Sequence, residues 1–159
     1  MIDPKEDGVT HINIYSKGNT ELGRLLSNMA EVGFDHPVAG YFRSMEGFWY
    51  YYFTGSQHDE FKVMSPWECK KTGKLLRDDR IDKEGISDYD KAIILQAIGY
   101  KIKQSTEIIG LMLDSVLPFT HYYNYGGRVI TLPHYNWMVD EFERIRKILK
   151  GAKLDGYAN

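Results

Sequence analysis

The sequence predicts an α+β fold: a compact, helix-rich single domain with a small sheet. Three observations carry that expectation. Apolar residues recur at helical spacing over long stretches of the second half of the chain. Ser44, Ser65 and Ser87 each stand where a helix N-cap is wanted, ahead of such a run. Strand-like alternation is confined to short pieces such as His11–Tyr15. With 159 residues the chain is long enough for one sizeable core and short for two. The expected organisation is a flexible N-terminal tail over 1–10, one domain over 11–150 and a frayed tail over 151–159.

Met1–Val9 is polar and reads as a loose tail. His11-Ile12-Asn13-Ile14-Tyr15 alternates and opens the fold as a strand. Ser16-Lys17-Gly18-Asn19 is turn chemistry, and Leu22, Leu25 and Leu26 then predict a short helical turn ending at Ser27-Asn28. Gly33, Pro37 and Gly40 among Phe34, Val38, Tyr41 and Phe42 predict a hairpin or irregular strand pair. A helix follows Ser44 and stops near Thr54-Gly55, and Gln57–Met64 predicts another short helix.

Ser65-Pro66-Trp67-Glu68 combines an N-cap, Pro at the first helical position and a Glu that closes a capping box, so a helix starts there and runs to about Leu76. Asp78–Asp88 reads as a loop. Ser87 with Asp90 starts a further helix, whose stripe Ala92, Ile93, Ala97, Ile98 and Ile102 continues to about Gln104. Ser105 or Thr106 opens the next helix, which ends before Pro118. Phe119–Tyr123 alternates weakly, Asn124–Gly127 is a turn or binding loop, and the last helix spans about Pro133 to Lys150.

Composition removes several classes. A net charge of −2 gives no clustered basic excess for wrapping a duplex. The single Cys69 excludes an intrachain disulfide, fits a reducing cytoplasm and reads as packing. No stretch has the apolar length of a membrane span, and the first residues are unlike a signal peptide. The five His residues lack the spacing of a zinc site, and no phosphate-binding loop, dinucleotide fingerprint or nucleophile elbow is present. The expectation is a cytoplasmic protein with no metal, no cofactor and no membrane partner.

Carboxylate chemistry remains. Phe48-Trp49-Tyr50-Tyr51-Tyr52-Phe53 is an unbroken aromatic run, too apolar to lie on a surface, with Glu46 at its entrance. Glu46 admits two readings. In the first turn of a helix it complements the dipole, which is the commoner role. Lodged against rings, a carboxylate loses water, its pKa rises, and it becomes a general acid or base near neutral pH. Asn28 is either a ligand contact, since its amide both donates and accepts, or a local cap. Lys70, Lys71, Lys74 and Arg77 form either an anion-binding cluster or a solvated face.

The order of these segments resembles the NADAR family. Ile12-Asn13-Ile14-Tyr15-Ser16, Leu26-Ser27-Asn28-Met29-Ala30 and Ser44-Met45-Glu46 stand where that family has I-x-F-Y-S, L/F-S-N-F and S-x-E-H. Phe61-Lys62-Val63-Met64-Ser65-Pro66 with Lys70-Lys71-Thr72-Gly73 looks like its next segment, and Tyr125-Gly126-Gly127 takes the place of a W-G loop. The resemblance covers about His11 to Leu149.

It implies a helix-rich α+β domain that hydrolyses N-glycosidic bonds. Some members are riboflavin-intermediate N-glycosidases, and others remove ADP-ribose from guanine bases. The family's catalytic Glu falls on Glu46 and its substrate-contacting Asn on Asn28. The remaining binding residues then expected are Ser27, Arg43, Trp49, Tyr50, Lys70, Lys71, Tyr125 and Gly126, with rings as walls and cations for phosphate. The partner implied is a small ribosyl or ADP-ribosyl substrate, or ADP-ribosylated guanine in nucleic acid. Three positions depart from the pattern: Gly47 replaces a His, Tyr50–Phe53 holds no Lys, and Tyr125-Gly126-Gly127-Arg128 carries no carboxylate. They motivate the alternative, a non-catalytic module that binds ADP-ribose or a nucleotide.

Overall fold

The computed structural model describes residues 1–77, 81 and 85–158, with residues 154–158 in backbone only. In chain order the elements are β1 (Ile12–Asn13), α1 (Glu21–Leu26), β2 (Phe34–His36), β3 (Gly40–Phe42), α2 (Met45–Phe53), α3 (Pro66–Leu76) and α4 (Asp88–Lys103). There follow α5 (Thr106–Asp114), β4 (Phe119–Thr120), β5 (Tyr122–Tyr125), β6 (Arg128–Thr131) and α6 (Asn136–Ala158). Single 3-10 turns lie at Pro4–Glu6, Asp59–Lys62 and Pro133–Tyr135. The mixed, helix-rich α+β class is as expected. Positions 78–80 and 82–84 of the expected loop Asp78–Asp88 lie outside the described residues.

Contacts gather the chain into two compact units, Met1–Ser27 with Thr106 onward, and Asn28–Ser105. The reason is pairing between the ends of the chain. In the first unit β1 lies parallel to β4, with Ile12 opposite Phe119 and Asn13 opposite Thr120. The buried Asn13 amide extends that ladder, donating to the Tyr122 carbonyl and accepting from the Tyr122 N–H, both at 2.9 Å. β5 and β6 form a hairpin closed by Gly126 and Gly127, whose φ of 59° and 95° a two-residue turn of this hand requires. Among the described residues the expected small sheet is three two-stranded ladders.

The first ten residues are not a loose tail. Asp7 is buried, and its carboxylate accepts from the N–H of Asn13 at 2.9 Å and of Asn19 at 2.8 Å. At the other end α6 continues to Ala158, past the stop expected at Lys150. Gly151 lies within that helix rather than ending it. Arg146, buried on α6, donates to Ser115 Oγ at 3.0 Å and the Leu117 carbonyl at 2.8 Å, and its guanidinium stands 4.1 Å from the Phe119 ring centroid. The second of these bonds satisfies a carbonyl in the segment that follows α5.

In the second unit the β2–β3 hairpin, α3 and α4 pack around α2. Ser44 caps α2 by accepting from Gly47 N at 3.1 Å, and Ser87 caps α4 by accepting from Asp90 N at 3.1 Å. Phe42, Met45, Phe48, Trp49, Tyr50 and Phe61 are buried, each contributing about 1.5–3 kcal/mol of apolar burial. Tyr51, Tyr52 and Phe53 lie half-buried along the rest of the run. The close approach of α3 to α2 depends on Gly73, where an added Cβ would lie 2.1 Å from Tyr50 Cδ1.

Candidate functional site around Glu46

Glu46 sits in the first turn of α2, which Ser44 caps. Its N–H donates to the Asn28 carbonyl at 2.9 Å, tying the segment that leaves α1 to the helix start. Gly47, next in the turn, presses on the carbonyl oxygen of Phe61, to which an added Cβ would approach within 2.4 Å. The Cys69 thiol donates to that same oxygen at 3.5 Å. The Phe61 carbonyl therefore holds the first turn of α2 against the first turns of α3, and the lysines that follow Cys69 are brought toward the Glu46 carboxyl.

The electrostatics follow from that arrangement. Glu46 is half-buried, and loss of water pushes its carboxyl up to about 7, while the positive charges of Lys70 and Lys74 pull the other way. Desolvation wins because both ammonium groups keep part of their hydration: Lys70 is half-buried and Lys74 exposed. Cys69 is fully buried, and burial, with Glu46 and Glu68 nearby, pushes its thiol up to about 11. At neutral pH it is a neutral packing group and no nucleophile.

The expected site residues divide. Glu46, Asn28, Lys70 and Lys71 all belong to the second unit, with Asn28 half-buried and Lys71 exposed on α3. Arg43 is engaged: it pairs with Glu31 and donates to the Val63 carbonyl at 3.1 Å. Trp49 and Tyr50, expected as ring walls, are buried at 7% and 3% exposure. Tyr50 packs on Gly73 and so joins α2 to α3, while Trp49 meets Phe53, one turn on in the same helix, with centroids 4.8 Å apart. Ser27, Tyr125 and Gly126 belong to the first unit: Ser27 is the buried C-cap of α1, and Tyr125 and Gly126 are exposed at the hairpin tip.

The sequence reading missed Trp67. It is 57% exposed on α3, and the Lys70 ammonium lies 5.7 Å from its ring centroid. The signal was present in the spacing of Trp67, Lys70, Lys71 and Lys74, which share a helical stripe once Pro66, Cys69 and Gly73 are known to face inward. Among the described residues no group of three or more His, Cys, Asp or Glu side chains is placed to hold a metal ion, and no helix is long and apolar enough to cross a membrane. No protein-family model matches the chain, and no curated protein or solved structure matches it.

Proposed function

We propose that this chain is an N-glycosidase-like hydrolase acting on a ribosyl or ADP-ribosyl compound in the cytoplasm. The observation that carries the reading is the Glu46 carboxyl, half-dried at a helix start and titrating near pH 7, with Lys70 and Lys74 within electrostatic reach. Breaking a C1–N bond builds positive charge on the sugar. An ionised carboxylate stabilises that oxocarbenium-like centre and takes a proton from the attacking water, while limited solvation strengthens both effects. A group with pKa near the working pH exchanges that proton readily. The lysines offer charge to a substrate phosphate. The family resemblance of the segments around Asn28 and Glu46 points to the same chemistry.

The test is Glu46→Gln, followed by release of base from ribosylated pyrimidines and from ADP-ribosylated guanosine. Loss of turnover by about a hundredfold or more is expected for removal of a general base, and unchanged turnover removes Glu46 from the mechanism.

One observation favours the second reading, a module that binds ADP-ribose or a nucleotide without cleaving it. The turn holding Gly47 has no room for any Cβ, so the His that the family carries at this position is excluded by packing against Phe61. Calorimetry with ADP-ribose beside a product assay separates the two, since tight binding of intact ligand supports the module.

A further inference from the structure

The last helix carries a second concentration of charge, which hydrolysis at Glu46 does not use. Glu143, Arg144, Arg146, Lys147 and Lys150 line a cleft of about 540 Å³ on α6, within the first unit. Helical spacing puts Glu143, Arg146, Lys147 and Lys150 on one face of the helix.

What distinguishes this cleft from a solvated basic face is which of its polar groups are already bonded. Both oxygens of Glu143 are taken: Oε1 accepts from the Phe119 N–H and Oε2 from Arg146 Nη2, each at 2.7 Å. Arg146 is only 6% exposed, and its Nη1 is held by Ser115 Oγ at 3.0 Å and the Leu117 carbonyl at 2.8 Å. A guanidinium has five N–H donors and these bonds use three of them. The Nε–H and one N–H of Nη2 therefore have no acceptor among the described residues. The Lys150 ammonium donates to the Ser115 carbonyl and keeps its other protons, while exposed Lys147 has no acceptor among the described residues. Arg144 pairs with Glu141 through Nε and keeps its other donors.

The cleft thus has donors to spare and no open carboxylate. Its complement is a compact anion with several acceptor oxygens. Glu143 offsets the charge of Arg146 alone, so the remaining cations favour a dianion over a carboxylate, and guanidinium with ammonium is the donor set that suits phosphate.

We propose that this cleft on α6 binds a phosphate dianion, free or as the monoester of a small molecule, through Arg146, Lys147 and Lys150. The site stands apart from the reading of Glu46, since none of its residues belongs to the second unit.

The experiment titrates the full chain with inorganic phosphate, glycerol phosphate and acetate at neutral pH and constant ionic strength, followed by calorimetry and by the Arg146 Nε–H resonance. Saturable one-to-one binding of phosphate, its ester or both is expected, about tenfold or more tighter than acetate, with the Arg146 resonance shifting along the same curve. The tighter of the two tells whether the ligand is phosphate itself or an ester. Lys147→Ala is expected to weaken binding about tenfold, while Lys17→Ala, which removes the same charge from an exposed turn outside the cleft, leaves it within about twofold. The wild-type resonance reads the site without any variant. No saturable binding by wild type, acetate matching phosphate, an unmoved Arg146 resonance, or Lys147→Ala behaving as Lys17→Ala overturns the site.

Discussion

The backbone N–H of Glu46 donates to the carbonyl oxygen of Asn28 at 2.9 Å, so the two residues that the sequence singled out as reacting group and ligand contact are joined at the start of one helix. The bond uses only main-chain atoms. It fixes where the Glu46 side chain begins and leaves the carboxyl to be set by its surroundings, chiefly by loss of water.

That setting predicts a pH dependence of stability. Burial raises the folded-state pKa of Glu46 from 4.5 to about 7, so between those values the folded state binds more protons than the unfolded chain. The stabilisation is fully present below the unfolded value and is lost as pH rises through 7. Glu46→Gln stays neutral throughout and is expected to match wild type near pH 4 and exceed it above pH 7 by on the order of 3 kcal/mol. Urea denaturation of both proteins at a series of pH values measures the difference. A constant difference across the series contradicts a desolvated carboxyl.

Gly73→Ala tests the packing that positions α3. The added Cβ would meet Tyr50 at Cδ1, Cγ and Cβ, the last at 2.8 Å, so the ring has no simple rotation that clears it. The expected cost is about 1–3 kcal/mol, read as a lower denaturation midpoint at unchanged slope. Gly110, with nothing near its missing Cβ, serves as the control, and Gly110→Ala in the middle of α5 is expected to stabilise by about 0.5–1 kcal/mol.

What was legible in the chain was local. Ser44, Ser65-Pro66 and Ser87 announce helices because a cap bonds a backbone group three residues away, and each does so here. The 3-10 turn at Asp59–Lys62 and the strand pair around Gly40 likewise follow from neighbouring residues. Pairing of Asn13 with Tyr122 spans 109 residues, and nothing in either segment names the other. β6 was passed over because Arg128–Thr131 gains its meaning from the turn before it.

At the site, Glu46 was legible as a carboxylate ahead of rings, but not the sharing of the Phe61 carbonyl by Gly47 and Cys69 that brings Lys70 near it. Trp49 and Tyr50 were read as ligand walls because ring runs suit both pockets and cores. Burial decided for core, and at Tyr50 the missing side chain of Gly73 is what makes the room.

Asp7 tests the anchoring of the N-terminus. Its carboxylate is the acceptor for the N–H of buried Asn13 and for that of Asn19. Asp7→Ala leaves the Asn13 N–H without that acceptor beside a two-residue strand, at an expected cost of about 1–3 kcal/mol. Amide exchange at Asn13 and Ile14 checks the location: it is expected to speed up in the variant before exchange in α4 changes. Unaltered exchange at Asn13 shows that the carboxylate does not hold the strand.

Lys101 gives a pH dependence of opposite sign. It lies with Ile94, Ala97, Ile98 and Ile102 on the buried stripe of α4, and burial pushes its ammonium down from 10.5 to about 7. Between those values the unfolded chain holds the proton and the folded one does not, so the cost of burying Lys101 grows as pH falls from 10.5 and is complete below 7. Lys101→Met keeps the length and apolar stem without the charge. The stability of the variant relative to wild type is expected to fall as pH rises from 7 to 10, by on the order of 4 kcal/mol. Comparing wild type and variant at each pH cancels the titration of the other lysines and tyrosines. A difference between wild type and variant that stays the same from pH 7 to pH 10 contradicts a desolvated ammonium at Lys101.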